Sequence, residues 1–181
     1  MHARLSMRQA ADRARIGAFL RELGRAAQEP GELYLTGGAT AVLVGWRSTT
    51  IDIDIRLEPD ADVLLRRIAQ LKEELDVNVE LASPSDFIPE LPGWRDRSLF
   101  VAQEGSLGVR HVDLYSQALS KIERGFEQDL LDVAEMVRRD LVKPARALEL
   151  FAAIEGELFR YPAIDPSVFR RSAREFFGDV A

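Results

Sequence analysis

The chain has 181 residues, of which 46% are hydrophobic and 30% charged, and it carries a formal net charge of −6. This size and composition suit one globular domain, or a compact core with a helical extension. The acidic balance argues against a dedicated nucleic-acid-binding protein, the absence of cysteine excludes disulfides and thiolate metal sites, and no apolar run is long enough to cross a bilayer.

The first half of the chain begins without an apolar signal region, which favours a cytoplasmic protein, and then alternates helical and extended patterns. Apolar residues spaced three and four apart predict helices, and strict alternation of apolar and polar residues predicts strands. In chain order, the patterns predict a helix over 6–27, a strand over 32–36, a short helix over 39–44, a strand over 50–57, a helix over 59–75 and a strand over 76–81.

The second half opens with residues 83–97, whose three prolines and one glycine predict a loop or a set of turns. Strands over 98–103 and 107–114 then form a predicted hairpin. Four helices follow, over 116–125, 127–139, 144–157 and 166–177. The order predicts an α/β (α+β) fold, with a mixed sheet and packed helices in residues 1–115 and a helical part in residues 116–181 packed on that core.

Two aspartates alternate with isoleucines in the predicted strand over residues 50–57. Because successive side chains of a strand point to opposite faces, Asp52 and Asp54 share one face, while Ile51, Ile53 and Ile55 are expected to face the core. Two neighbouring carboxylates repel each other unless a cation lies between them. Magnesium prefers such oxygen ligands and takes its remaining ones from water and substrate phosphates.

A glycine pair, Gly37-Gly38, ends the preceding apolar run. Glycines allow backbone N–H groups to approach a phosphate closely, especially where a helix begins. The glycine pair and the two aspartates together predict a site for a metal-bound nucleoside triphosphate.

The spacing from the glycine pair to Asp-x-Asp resembles the signature of the polymerase-β-type nucleotidyltransferase superfamily. The closer resemblance is to its compact bacterial branch, which includes abortive-infection nucleotidyltransferase toxins and related domains of unknown function. The resemblance covers roughly residues 30–135. The matching residues are Gly37, Gly38, Ala39, Thr40, Arg47, Ser48, Thr49, Asp52 and Asp54.

This resemblance implies a minimal nucleotidyltransferase fold with a third carboxylate on the next strand. Glu80 is the candidate, because alternation places it on the polar face of the strand over 76–81. Family members usually carry aspartate here, so an alternative is that the third ligand is missing and metal binding is weakened. Asp86 and Asp113 are reserve candidates.

The resemblance also implies transfer of a nucleoside monophosphate, from a nucleoside triphosphate such as ATP, to an acceptor hydroxyl. Two magnesium ions would be held by Asp52, Asp54 and Glu80, with Glu80 as ligand or base. Phosphate oxygens would be bound by Gly37, Gly38, the Thr40 hydroxyl and Arg47. Arg47 has an alternative role, a salt bridge to one of the aspartates.

A second polar group begins at Lys121 and continues with Arg124, Asp129 and Asp132. These residues share one face if a single helix runs through Gly125. In the toxin branch that this segment resembles, the lysine faces the active site, so Lys121 is expected to contact the triphosphate. The alternative is a surface ladder of ion pairs.

Two other interpretations remain at this point. The protein is either a non-catalytic relative that acts as a binding or regulatory partner in a toxin–antitoxin or phage-defence pair, or a domain whose Asp-x-Asp pairs with Arg47 and Arg56. For an active enzyme the acceptor is RNA, a protein hydroxyl or a small molecule, and the expected partner protein is a cognate antitoxin. The scaffold alone does not choose among them.

Overall fold

The structure is a computed structural model that describes residues 8–178. The helices are α1 (Arg13–Ala26), α2 (Gly38–Val44), α3 (Asp62–Glu74), α4 (Trp94–Arg97), α5 (Leu114–Arg124), α6 (Glu127–Arg138), α7 (Pro144–Ile154) and α8 (Pro166–Phe177). The strands are β1 (Ala11–Asp12), β2 (Gly31–Thr36), β3 (Thr49–Thr50), β4 (Asp52–Glu58), β5 (Asn78–Leu81), β6 (Phe100–Glu104) and β7 (Leu107–His111). Pro84–Asp86 and Glu155–Arg160 are 3₁₀ segments.

The chain divides into two compact units. The first contains the described residues up to Ala82 together with Phe100–Arg110, and the second contains Ser83–Leu99 together with the described residues from His111 onward. The proline-rich loop is thus grouped with the helices that follow the hairpin. The division between residues 115 and 116 stays a prediction about domains.

A mixed five-stranded sheet forms the centre of the first unit, in the order β5-β4-β2-β7-β6. Strand β4 pairs antiparallel with β2 and parallel with β5. A parallel pair needs a crossover connection, and α3 supplies it between β4 and β5. The predicted fold class is confirmed, because the chain has a mixed sheet with packed helices and a helical C-terminal region.

The core of the first unit follows the predicted alternation of β4, with one correction. Ile53 and Ile55 are completely buried in a cluster with residues of α1 and α3. Ile51 was expected in the same row, but it is 73% exposed because it lies in the break between β3 and β4. Leu81, which ends the edge strand β5, is also mostly exposed, contrary to the predicted alternation.

The N-terminal segment is extended where the sequence predicts helix. Residues 6 and 7 lie outside the described part of the chain, and α1 begins only after Asp12, whose side chain caps it by accepting from the Arg15 N–H at 2.9 Å. Strand β1 pairs antiparallel with β3, which places Ala11 opposite Thr50. The Arg13 guanidinium donates to the carbonyl oxygen of Leu43 at 2.6 Å, near the end of α2.

The second unit is helical, and its boundaries follow local capping chemistry. Gly125 has φ 71° and ends α5, so α5 and α6 are separate helices. Asp165 accepts from the N–H groups of Ser167 and Val168, which confirms the predicted start of α8. Within residues 8–178, no helix combines the length and apolar character needed to cross a bilayer.

His111, in the second unit, gives the fold a pH dependence. Burial lowers the pKa of its imidazole from 6.5 to about 4, so the folded chain keeps the ring neutral where the unfolded chain protonates it. The free energy of unfolding should therefore fall by up to about 3 kcal/mol as the pH drops from about 6.5 to about 4. Urea unfolding of His111→Gln across this range should lack that component, and equal slopes for the two proteins would contradict the prediction.

Candidate active site

The polar faces of β4 and β5 carry a two-by-two array of side chains, which we call the carboxylate array: Asp52, Asp54, Asn78 and Glu80. The parallel register pairs Asp52 with Asn78 and Asp54 with Glu80. Residues two apart in a strand point to the same face, so all four side chains project from the same side of the sheet. Three of the four positions hold carboxylates, and the prediction that Glu80 lies near the aspartates agrees with this register.

Asn78 links two carboxylates of the array. Its Nδ2 lies 2.5 Å from Asp52 Oδ1 and 3.3 Å from Glu80 Oε1. The distance between Asp52 Oδ1 and Glu80 Oε1 therefore cannot exceed the sum of these two distances. The sequence analysis assigns no role to Asn78, because the contact of this residue with Asp52 depends on a pairing between distant segments.

The glycine pair lies against the array. Gly37 has φ 62° and ψ −132°, a conformation that residues with a side chain rarely adopt, and a methyl group there would lie 2.9 Å from Asp54 Oδ2. Gly38 begins α2, and a methyl group on it would overlap the hydroxyl of Thr50. The chain therefore needs glycine at both positions to bring this turn beside Asp54.

Two further residues predicted to bind phosphate lie near the glycine turn, in different environments. Thr40 is completely buried in α2, and its hydroxyl lies 3.4 Å from the carbonyl oxygen of Leu35. Arg47 is half-buried, and its Nη1 would lie 3.4 Å from a methyl group on Gly38. The structure thus brings Arg47 to the glycine turn, whereas the Thr40 hydroxyl contacts the backbone of β2. Phosphate binding by either residue stays a prediction.

The array is accessible to solvent. Asp52 and Asp54 are half-buried and Glu80 is exposed, so water can hydrate their charges. Arg56, which one interpretation pairs with the aspartates, forms an ion pair with Glu58 at 2.7 Å.

The donor set of the array suits a hard divalent cation, because carboxylate oxygens are the ligands that magnesium prefers. Among the described side chains, however, no three His, Cys, Asp or Glu residues are already gathered as ligands of one metal ion. Glu80 is exposed and has three rotatable side-chain bonds, so it is the residue best able to move toward a cation. The chemistry of the array therefore fits magnesium, and its side chains would adjust on binding.

Lys121 lies in the second unit, in a buried network of charges that joins α5 to α6. Its ammonium lies 2.9 Å from Asp132 Oδ2 and 3.3 Å from Asp129 Oδ1. Arg124 donates to both oxygens of Asp129, at 2.5 and 3.2 Å. Gly125 ends α5, in agreement with the separate helices predicted over 116–125 and 127–139, so the condition of one continuous helix is not met and the four charged side chains come together where α5 and α6 join. Contact of Lys121 with a triphosphate stays a prediction.

The two reserve carboxylates have structural partners in the second unit. Asp86 accepts from the backbone N–H of Ser83 at 2.8 Å in a capping box. Asp113 is 1% exposed, caps α5 and accepts two hydrogen bonds from Arg97, at 2.7 and 3.1 Å. These contacts explain both residues through local folding.

Residues 14–145, well over half of the chain, match the model of a family described as nucleotidyltransferase of unknown function (DUF6036). The matched interval contains the glycine turn, the carboxylate array and the charged network of α5 and α6. The comparison with curated proteins gave no match, and the comparison with solved structures gave none either.

The glycine turn supports a stability prediction. Gly37→Ala should lower the free energy of unfolding by about 1–3 kcal/mol, because alanine is strained at this backbone conformation and its methyl group meets Asp54. Urea unfolding would measure the loss. Gly156→Ala is the matched control, since a methyl group there meets open space. Equal effects of the two substitutions would contradict the prediction.

The charged network supports a second stability prediction. Lys121→Met should destabilise the fold by about 3–5 kcal/mol, because it leaves the completely buried Asp132 without its ammonium partner. Arg124→Met should cost less, since that side chain is 40% exposed and Asp129 keeps Lys121.

A double variant separates the lost charge partner from lost packing in this network. Lys121→Met combined with Asp132→Leu removes both buried charges and should recover part of the stability measured by urea unfolding. This account would be contradicted if the double variant lost as much free energy of unfolding as the two single variants lose when their losses are added.

Proposed function

The chain belongs to the DUF6036 family of nucleotidyltransferases of unknown function, and from this premise we propose that it transfers a nucleoside monophosphate from a nucleoside triphosphate to an acceptor hydroxyl. The observation that carries the proposal is the register of β4 and β5. This register pairs Asp54 with Glu80, and Asp52 lies two residues before Asp54 on the same face of β4. The glycine turn lies against one of these carboxylates, since a methyl group on Gly37 would lie 2.9 Å from Asp54 Oδ2.

The three carboxylates of the array are the proposed magnesium ligands. When bound, magnesium would neutralise charge on the phosphates and favour the deprotonated form of an acceptor hydroxyl. Without a cation the three negative charges repel each other, so the array has a stronger affinity for divalent cations than isolated surface carboxylates have.

The residues beside the array are proposed to bind and orient the triphosphate. The half-buried glycine turn is proposed to bind phosphate oxygens through its backbone N–H groups, and Arg47, which lies beside Gly38, adds a charge-assisted contact. The acceptor oxygen forms a bond to the α-phosphorus, the bond to the departing pyrophosphate breaks, and the acceptor proton passes to a base. Glu80, the most exposed of the three carboxylates, is our candidate for that base.

The acceptor is proposed only as a hydroxyl-bearing molecule. RNA, a protein and a small molecule all offer such a group, and the net charge of −6 gives no bulk electrostatic attraction toward RNA. A cognate antitoxin or other partner protein stays a prediction from the sequence resemblance.

The proposal predicts loss of transfer when the array loses a charge. Asp54→Asn should lower label transfer from an α-labelled triphosphate by at least about 100-fold. A ligand of a catalytic cation lowers the activation free energy by several kcal/mol, and each 1.36 kcal/mol changes the rate by about a factor of ten. Transfer to RNA, protein and small-molecule fractions of a cell extract is the measurement.

Asp60→Asn is the matched control, because Asp60 is an exposed aspartate just beyond β4 and outside the array. Magnesium with each nucleoside triphosphate should also raise the melting temperature of the wild type and not that of Asp54→Asn. Full transfer by a folded Asp54→Asn protein would refute the assigned site, and absence of both transfer and thermal shift in the wild type would favour a non-catalytic partner.

A further inference from the structure

Asn78 is the one neutral member of the carboxylate array. It lies opposite Asp52 in the register and two residues before Glu80 on the same strand. Its amide donates hydrogen bonds to both of these carboxylates. The three acidic members repel each other, whereas the amide stabilises the pair that it bridges.

The chemistry of the partners fixes the orientation of this amide. An ionised carboxylate only accepts hydrogen bonds, so the NH₂ group of Asn78 has to face Asp52 and Glu80, and its carbonyl oxygen has to point elsewhere. Each N–H of the amide can serve one carboxylate.

The amide engages one oxygen of each carboxylate, Oδ1 of Asp52 and Oε1 of Glu80. The other oxygen of each group keeps its lone pairs for a cation. Hydrogen bonds of this kind orient a metal ligand without replacing it, and their loss typically lowers metal affinity by about 10–100-fold.

We propose that Asn78 is a positioning residue, which holds Asp52 and Glu80 in the arrangement that a divalent cation requires. This inference rests on the proposed function of the array, since it concerns the same site. Asn78 acts through the two carboxylates that it bonds, and it has no role in the reaction itself.

Direct binding of Mn²⁺ tests the proposal without an activity assay. Titration of the nucleotide-free protein, followed by electron paramagnetic resonance of free Mn²⁺, gives the dissociation constant. Asn78→Leu keeps the size of the side chain and removes both donors, so it should weaken binding by about 10–100-fold. Asn78→Gln keeps the amide on a longer side chain of the edge strand, and it should recover most of the affinity.

Two controls separate this effect from others. Gln103→Leu makes the same amide-to-leucine change in β6, the other edge strand, where Gln103 bonds the carbonyl oxygen of Gly105, and it should leave the dissociation constant unchanged. The Mn²⁺ dissociation constant of Asp54→Asn tests whether the cation binds at the carboxylate array. If the wild type binds Mn²⁺ and Asp54→Asn does not, the metal site stands independently of Asn78.

The outcomes are distinct. Weaker binding by Asn78→Leu, with recovery in Asn78→Gln and unchanged melting temperatures, supports the positioning role. Unchanged or tighter binding by Asn78→Leu overturns it, and so does a loss that Asn78→Gln does not reverse. If the wild type and Asp54→Asn bind Mn²⁺ equally, the proposed function fails, and the proposal for Asn78 fails with it.

Discussion

The parallel pairing of β4 with β5 is the constraint on which the candidate site depends. A shift of one residue in this register would turn the side chains of β5 to the opposite face relative to β4, which would bury Glu80 and expose Val79. The buried Ile53, Ile55 and Val79 oppose such a shift, because their apolar side chains would enter water. Packing on one face of the sheet thus fixes the positions of carboxylates on the other.

Two groups of carboxylates among the described residues differ in how their charge is balanced. Asp129 and Asp132 are buried and paired with the buried Lys121 and the partly exposed Arg124, so their negative charge is balanced by cationic side chains and their role in folding is explained. The carboxylate array is more exposed and has a neutral amide at its fourth corner. A fold that needed only stability would gain little from keeping three acidic groups there, which is why the array is the better candidate for chemistry.

Local patterns in the sequence predicted much of the fold and the strand face of the three acidic residues of the array. Alternation gave the face of Asp52, Asp54 and Glu80, the family resemblance supplied the expectation that a third carboxylate lies near the first two, and the capping signal at Asp165 was confirmed. The errors arose where structure depends on distant partners. The hydrogen bond from Asn78 to Asp52 joins residues far apart in sequence, and so does the pairing of β1 with β3, which makes residues 11–12 extended where the sequence predicts helix.

The short pairing of β1 with β3 gives the segment before α1 a part in this architecture. Thr50, opposite Ala11 in that pairing, donates from its hydroxyl to the carbonyl oxygen of Asp52, and Arg13 donates to a carbonyl near the end of α2. Residues 11–13 therefore contact two elements next to the glycine turn, namely strand β3, whose Thr50 lies against Gly38, and the C-terminal end of α2, the helix that Gly38 begins. Shortening the protein up to the start of α1, although it removes no acidic ligand, would release the loop that leads into the first aspartate.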